Sequence, residues 1–121
     1  MLSELGHVAR ATGKTAEAKE LYRQSLRHFQ DQGNRPAIAH ELECFAFLAI
    51  ADEEPQRAVN LFGAAEALRE RIKASMQYLE HVEYDHAIIR LRTMLMEAEL
   101  NSLWAEGRAL SMEQAIRLAL S

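Results

Sequence analysis

The sequence predicts an all-α chain, and three observations carry that prediction. First, the 121 residues include 20 Ala and 16 Leu but only 3 Val and 3 Thr. Ala and Leu lose little side-chain freedom in a helix, whereas β-branched residues lose more. Second, apolar residues recur at spacings of three and four, the signature of one helical face, and no convincing alternating strand run occurs. Third, the only two prolines, Pro36 and Pro55, both fall where a helix can start, a place where the missing N–H has no intrahelical partner to lose.

Taken in order, the first predicted helix covers about residues 2–12 and stops near Gly13. The second covers 15–32, with Ala18, Leu21, Tyr22, Leu26 and Phe29 on one face, and ends at Gly33-Asn34, a glycine stop signal. A third, over 36–51, turns Ile38, Leu42, Phe45, Leu48 and Ala49 inward, and a fourth, over 55–72, does the same with Ala58, Leu61, Phe62, Ala65 and Leu68. After a polar stretch comes a long helix over 79–96 with the stripe Tyr84, Ala87, Ile88, Leu91 and Leu95. A short helix over 98–106 holds Leu100, Leu103 and Trp104 and is expected to stop at Gly107. The last covers 111–120, opened by a capping box at Ser111 and Gln114, and presents Met112, Ala115, Ile116 and Ala119.

Composition excludes several classes. Hydrophobic residues make up 49% and charged residues 26%, which is globular rather than disordered. Fourteen Lys and Arg against 18 Asp and Glu give a net charge of −4, so the basic footprint of a nucleic-acid-binding domain is missing. No apolar run approaches the ~20 residues of a membrane span, and no secretion signal is visible. A single cysteine, Cys44, leaves no internal disulfide and no zinc site built on cysteines. The expected setting is cytoplasmic.

An internal repeat organises the chain. Shifted by 40 residues, Leu5 falls on Phe45, Gly6 on Ala46, Ala9 on Ala49, Ala18 on Ala58, Leu21 on Leu61, Tyr22 on Phe62 and Ser25 on Ala65. Small residues meet small ones and aromatic meets aromatic. Two helices per period is the pattern of a helical solenoid, in which each hairpin buries its faces only by stacking. The small residues Gly6, Ala46, Ala18 and Ala58 are expected at close helix approaches, and Tyr22 and Phe62 between hairpins.

Leu5-Gly6, Ala9, Ala18, Tyr22 and Ser25 resemble the tetratricopeptide pattern of Leu-Gly followed by small, small, aromatic and small residues. The second copy has Phe45-Ala46 in place of Leu-Gly, and the period is longer than the usual ~34 residues. Long repeats of this kind resemble those of large bacterial LuxR-type and SARP-type transcriptional regulators and related cyclase-linked ATPases. The run from Leu61 to Leu68 looks like their last repeat, and Trp104 to Ala115 looks like their C-terminal signature. The resemblance implies a short right-handed stack of two hairpins, residues 1–34 and 35–73, closed by a C-terminal helical cap over 74–121, with Trp104 as its plug. It also implies a multidomain parent of which this chain is the end of the repeat array, with Met1 falling directly before a helical stripe. The parent's catalytic and DNA-binding motifs have no counterpart here.

Candidate sites are few. Thr12-Gly-Lys-Thr15 has the tail of a phosphate-binding loop, but Val8 occupies the place of its first glycine and a helix precedes it, so it reads as a hairpin turn. His81 and His86 are five apart and so do not share a face as an i,i+4 metal pair; with Glu83 and Asp85 they read as a solvated first turn, and no metal or cofactor is expected. Cys44 reads as a buried, inert thiol, and the carboxylates, such as Glu20 beside Arg23, as solvated faces. Carried over from the tetratricopeptide resemblance, the groove is lined by Ser3, His7 and Arg10 in the first repeat and by Glu43, Phe47 and Ile50 in the second. Arg10 is suited to an acidic group. Phe47 and Ile50 are expected to lie under the long helix over 79–96.

Three functions are compatible with these residues. The first is a non-catalytic interaction module in a regulator's sensor array, with a protein, a peptide, a small effector or the parent's upstream domains as partner. The second is an autonomous enzyme or small-molecule-binding helical domain, for which no convergent titratable set is visible in the sequence. The third is a purely structural end cap. No nucleic acid or membrane contact is expected. Leu2, Leu5 and Val8 on the first helix form an apolar face expected to support self-association.

Overall fold

The computed structural model describes residues 2–121, and side chains from residue 4 onward. The described residues form seven helices and no strand: α1 (Leu2–Ala11), α2 (Thr15–Gln32), α3 (Arg35–Ala51), α4 (Pro55–Ile72), α5 (Tyr78–Met94), α6 (Glu97–Arg108) and α7 (Met112–Leu120). The side chains of Leu2 and Ser3 lie outside the described residues.

The first four helices fold back on one another through turns of a single design. In each, a residue in the left-handed region ends the helix: Gly13 (φ 81), Gly33 (φ 66), Glu53 (φ 59) and Lys73 (φ 56). The following amide reaches back five residues, Lys14 to Ala9, Asn34 to Phe29, Glu54 to Ala49 and Ala74 to Arg69, at 2.8–3.0 Å. This arrangement satisfies helix-end carbonyls that have no intrahelical partner. Glycine signalled two of the four turns in the sequence. The other two carry Glu53 and Lys73, whose side chains say nothing of a left-handed residue.

Consecutive helices from α1 to α4 pack side by side, α6 packs along α4, α7 lies against α4 and α3, and α5 touches α3, α4 and α6. The matched small and aromatic positions are all interior: Ala18, Ala46 and Ala58 are buried, as are Tyr22 and Phe62. Gly6 is small for a definite reason, since a Cβ there would stand 2.6 Å from Tyr22 Cε1. The core runs through α3, where residues 41–50 are all buried. A helix apolar on every side belongs in the middle of a domain.

The second half differs from its sequence reading in two places. The long helix ends at Met94, and Leu95 and Met96 are extended, which lets α6 turn back onto α4. Gly107 does not stop α6, which continues to Arg108. It is a crossing residue instead: a Cβ on Gly107 would clash with the Asn60 backbone, and one on Gly63 would lie 2.6 Å from the Trp104 carbonyl oxygen. The absent side chains let the α4 and α6 backbones touch. The capping box at Ser111 and Gln114 is present, with bonds of 3.1 and 2.8 Å. Arg57 on α4 donates to the carbonyls of Leu118, Ala119 and Ser121 and so closes the end of α7. Trp104 donates to Glu66 at 3.0 Å, and Arg108 pairs with Glu66 and Glu70, tying α6 to α4 on the same side.

Two stability outcomes follow from this packing. Gly63→Ala and Gly107→Ala each force backbone apart and are expected to lower stability by about 2–3 kcal/mol, read as a lower urea midpoint. Glu53→Gly relieves a left-handed non-glycine residue and is expected to raise stability by about 1 kcal/mol in the same assay.

Candidate functional site

The side of the stack presented by α1 and α3 is covered by α5, and the contact is built from charge and aromatic faces. Three carboxylates and four cationic or imidazole groups meet there, with the Tyr22 hydroxyl between them. Near its start α5 brings Glu80 to His40 Nδ1 at 3.0 Å and to Arg69 at 3.4 Å. One turn on, Glu83 pairs with Arg10 of α1. The guanidinium of Arg10 also lies 4.9 Å over the Phe47 ring and donates to the Tyr22 hydroxyl at 3.2 Å. Tyr84 then meets Phe62 edge-on at 5.2 Å between ring centres, and Phe62 meets Phe47 at 5.4 Å. Such tilted aromatic contacts place ring edges on ring faces, which their quadrupoles favour.

Glu43 is the most demanding group. Its side chain is fully buried, and Arg69 reaches it with two parallel bonds of 2.7 and 2.8 Å. Arg69 also donates to the carbonyls of Ala74 and Ser75 and so holds the link between α4 and α5. Burial and the neighbouring Glu80 carboxylate push Glu43 upward against the pull of Arg69. Glu80 is held low by His40 and Arg69 despite its own burial. His40 is raised, because Glu80 outweighs the burial that lowers it. Glu41, in the same helix, is fully buried too. The expectation that the carboxylates are solvated holds for Glu20, exposed and 3.9 Å from Arg23, and is corrected for Glu41 and Glu43. The reason is positional: α3 has no solvent face along residues 41–50.

A second chain of contacts runs from α2 through α1 to α3. Tyr22 Oη lies 2.7 Å from His7 Nδ1, His7 Nε2 lies 3.2 Å from His40 Nε2, and Cys44 Sγ lies 3.5 Å from the same His40 nitrogen. Burial, with the charges of His40 and Arg10, lowers His7. Cys44 is a buried free thiol, and burial pushes it well up.

Of the six groove residues expected, His7, Arg10, Glu43, Phe47 and Ile50 come together beneath α5, and Ser3 lies outside the described side chains. Phe47 and Ile50 are buried, and the open cavity they line is shared with Glu83, His86, Ala87 and Arg90 of α5. Arg10 does hold an acidic group, and that group is the chain's own Glu83. The residues that sequence reasoning passed over are Glu80, Arg69 and the Tyr22 hydroxyl. Each is one of many polar residues at helical spacing, and only the approach of another helix singles it out. His81 pairs with Asp85 at 3.4 Å on an exposed face, away from the buried imidazoles.

Further cavities flank α5, and two of them bear on the site. One, of about 410 Å³, opens among His7, Arg10, His40, Cys44, Glu80 and Glu83. The other, of about 550 Å³, lies between α5 and α6, walled by Tyr84, Ile88, Leu100 and Trp104 with Asp85, Arg92 and Asn101 at its polar side. No helix among the described residues is long and apolar enough to cross a membrane. No protein-family model matches the chain, and none of the curated proteins or solved structures compared with it matches either.

The Glu43–Arg69 pair can be tested by a mutant cycle. Arg69→Met leaves a buried carboxyl without its cation and is expected to cost about 3 kcal/mol, whereas Glu43→Leu combined with Arg69→Met returns to within about 1 kcal/mol of the parent. Urea unfolding of the four proteins measures the coupling.

Proposed function

We propose that this chain is a non-catalytic protein-interaction and regulatory module, a short tetratricopeptide-like stack of two hairpins closed by a helical cap. In this reading it is the C-terminal end of a sensor array in a multidomain bacterial transcriptional regulator or signal-transduction ATPase of the cytoplasm. The observation that carries the reading is the inequality of the two ends. The α4 end is sealed by α6 and α7, with Leu61, Leu68, Leu100 and Ile116 buried. The α1 end presents Leu5 and Val8 at 55% and 62% exposure. An unmatched apolar face on one end of a helical stack is the surface against which a preceding hairpin docks. The recurrence of the turn geometry at Gly13, Gly33, Glu53 and Lys73 adds support, since a stack grows by repeating one turn.

Within that reading the partner of the open face is a preceding hairpin of the parent, and α5 is a built-in occupant of the groove. A small effector is favoured as the sensed ligand by the cleft between α5 and α6, where the aromatic walls of Tyr84 and Trp104 stand beside Arg92 and Asn101. Alanine at His7 and Arg10 in the intact parent is expected to weaken the effector response by loosening α5; an unchanged response would favour a purely structural cap.

The isolated chain is expected to self-associate as concentration rises, through Leu5 and Val8. Leu5→Glu with Val8→Glu is expected to hold it monomeric while shifting stability by no more than about 0.5 kcal/mol, as exposed substitutions do. Sedimentation velocity over a wide concentration range reads both, and a strictly monomeric parent chain at the highest concentration counts against the open-face reading.

A further inference from the structure

Three soft donor atoms converge beside α5, contributed by two helices far apart in sequence. His7 Nε2 comes from α1, and His40 Nε2 and Cys44 Sγ come from successive turns of α3. The two nitrogens are 3.2 Å apart, and the sulfur is 3.5 Å from His40 Nε2. All three donor atoms lie within 4.8 Å of one another. Around a tetrahedral zinc ion, with nitrogen at ~2.0–2.1 Å and sulfur at ~2.3 Å, two nitrogens stand about 3.3 Å apart and a nitrogen and a sulfur about 3.6 Å apart. Both separations from His40 Nε2 match those values, and His7 Nε2 and Cys44 Sγ lie within 4.8 Å of each other.

The groups behind the donors fit as well. A metal-bound imidazole usually gives its other N–H to a carboxylate or another oxygen, which fixes the ring and the tautomer. His40 Nδ1 faces Glu80 Oε1 at 3.0 Å, and His7 Nδ1 faces Tyr22 Oη at 2.7 Å. The Tyr22 side chain is pinned in turn by Arg10 and by the space that Gly6 leaves for its ring. Glu80 carries a second buried oxygen, Oε2, with no hydrogen-bond partner. A neighbouring acidic set, His40, Glu43 and Glu80, is the weaker candidate, because Arg69 already supplies its cation at 2.7 Å from Glu43. The donors open onto the 410 Å³ cavity between α1 and α5, which leaves room for a fourth ligand such as water.

We propose that His7, His40 and Cys44 bind one divalent transition-metal ion of the Zn²⁺ class, with Glu80 and Tyr22 orienting the two imidazoles and a solvent-side fourth position left open. Binding forms a metal–Sγ bond and releases the thiol proton to solvent; no oxidation state changes. Without metal the same groups form a hydrogen-bonded chain from Tyr22 through His7 to His40, its donor and acceptor roles set by the tautomers. With the metal on both Nε2 atoms, each imidazole carries its proton on Nδ1, facing Tyr22 Oη and Glu80 Oε1. Imidazole and thiolate select Zn²⁺ or Co²⁺ over Mg²⁺ and Ca²⁺, which take oxygen ligands. The ion would bolt α1 to α3. This inference is independent of the regulatory reading above, because it rests on the donor set alone.

The test uses the whole reduced 121-residue chain after removal of metal by a chelator. Titration with Zn²⁺ against a chromophoric competitor is expected to give one tight site per chain, with no uptake of Mg²⁺. Co²⁺ is expected to give a thiolate-to-metal charge-transfer band together with the intense visible bands of four-coordination. Cys44→Ser removes the charge-transfer band, and His40→Ala weakens Zn²⁺ binding by 100-fold or more. Tyr22→Phe weakens it ~10-fold through loss of ring orientation. His81→Ala with His86→Ala leaves the tight site unchanged. The wild-type Co²⁺ spectrum decides the matter even if a variant fails to fold. Substoichiometric Zn²⁺ uptake, or six-coordinate Co²⁺ without a thiolate band, overturns the proposal and leaves the hydrogen-bonded array as the whole account of these residues.

Discussion

The rest of the structure depends on the burial of α3. A helix with no solvent face along residues 41–50 must surround itself with other elements and must also answer for every polar group it carries. Its apolar residues are met by α2 and α4 on either side. Two of its polar side chains, Glu43 and the half-buried His40, are met by Arg69 of α4 and Glu80 of α5. The position of α5 follows from that requirement as much as from apolar contact. Few residues of α5 are fully buried, Ala87 and Leu91 alone among those described, so hydrophobic burial by itself would hold it loosely. The ion pairs at Glu80 and Glu83 and the edge-on stack of Tyr84 on Phe62 fix its register.

This arrangement has a consequence for dynamics. Helices α1 to α4 are joined by short turns that share one hydrogen-bond design, and α6 is locked to α4 by backbone contact at Gly63 and Gly107. In contrast, α5 is held by charges and ring edges, and Tyr78, Leu79 and Ile89 on its other side are exposed. Elements with few buried apolar contacts open at lower free energy than the core does. An element that fills a groove and is attached mainly by polar contacts is also one that a competing ligand can displace. The fold therefore joins a frame held by backbone contact to a helix held mainly by polar and aromatic contacts.

How far the sequence revealed this can be judged from particular residues. The interior placement of Tyr22, Phe62, Ala18 and Ala58 was legible because apolar and small side chains at helical spacing leave a periodic trace, and all four are buried. Gly33 was legible as a helix stop because its freedom is used there. Gly107 carries the same signal for a different reason, a close crossing, and the sequence has no means to tell a glycine that ends a helix from one that admits a neighbour. Of the residues beneath α5, Arg10, Glu43, Phe47 and Ile50 were singled out by the tetratricopeptide resemblance. Their partners Glu80, Glu83 and Arg69 were not, because charged residues at helical spacing look alike whether they face water or a buried counter-charge.

By itself the sequence determined the helical class, the starts of α3 and α4, the cap of α7 and the interior faces of α2, α4 and α7. These depend on local propensity, capping chemistry and one-dimensional periodicity, all of which are written in neighbouring residues. Only the tertiary structure decided which charges of α5 meet α1 and α3, that α6 rather than α5 packs along α4, and that His7 meets His40 and Cys44. Those outcomes depend on approaches between residues more than 30 positions apart. A linear chain records which groups need partners but not which partners will arrive.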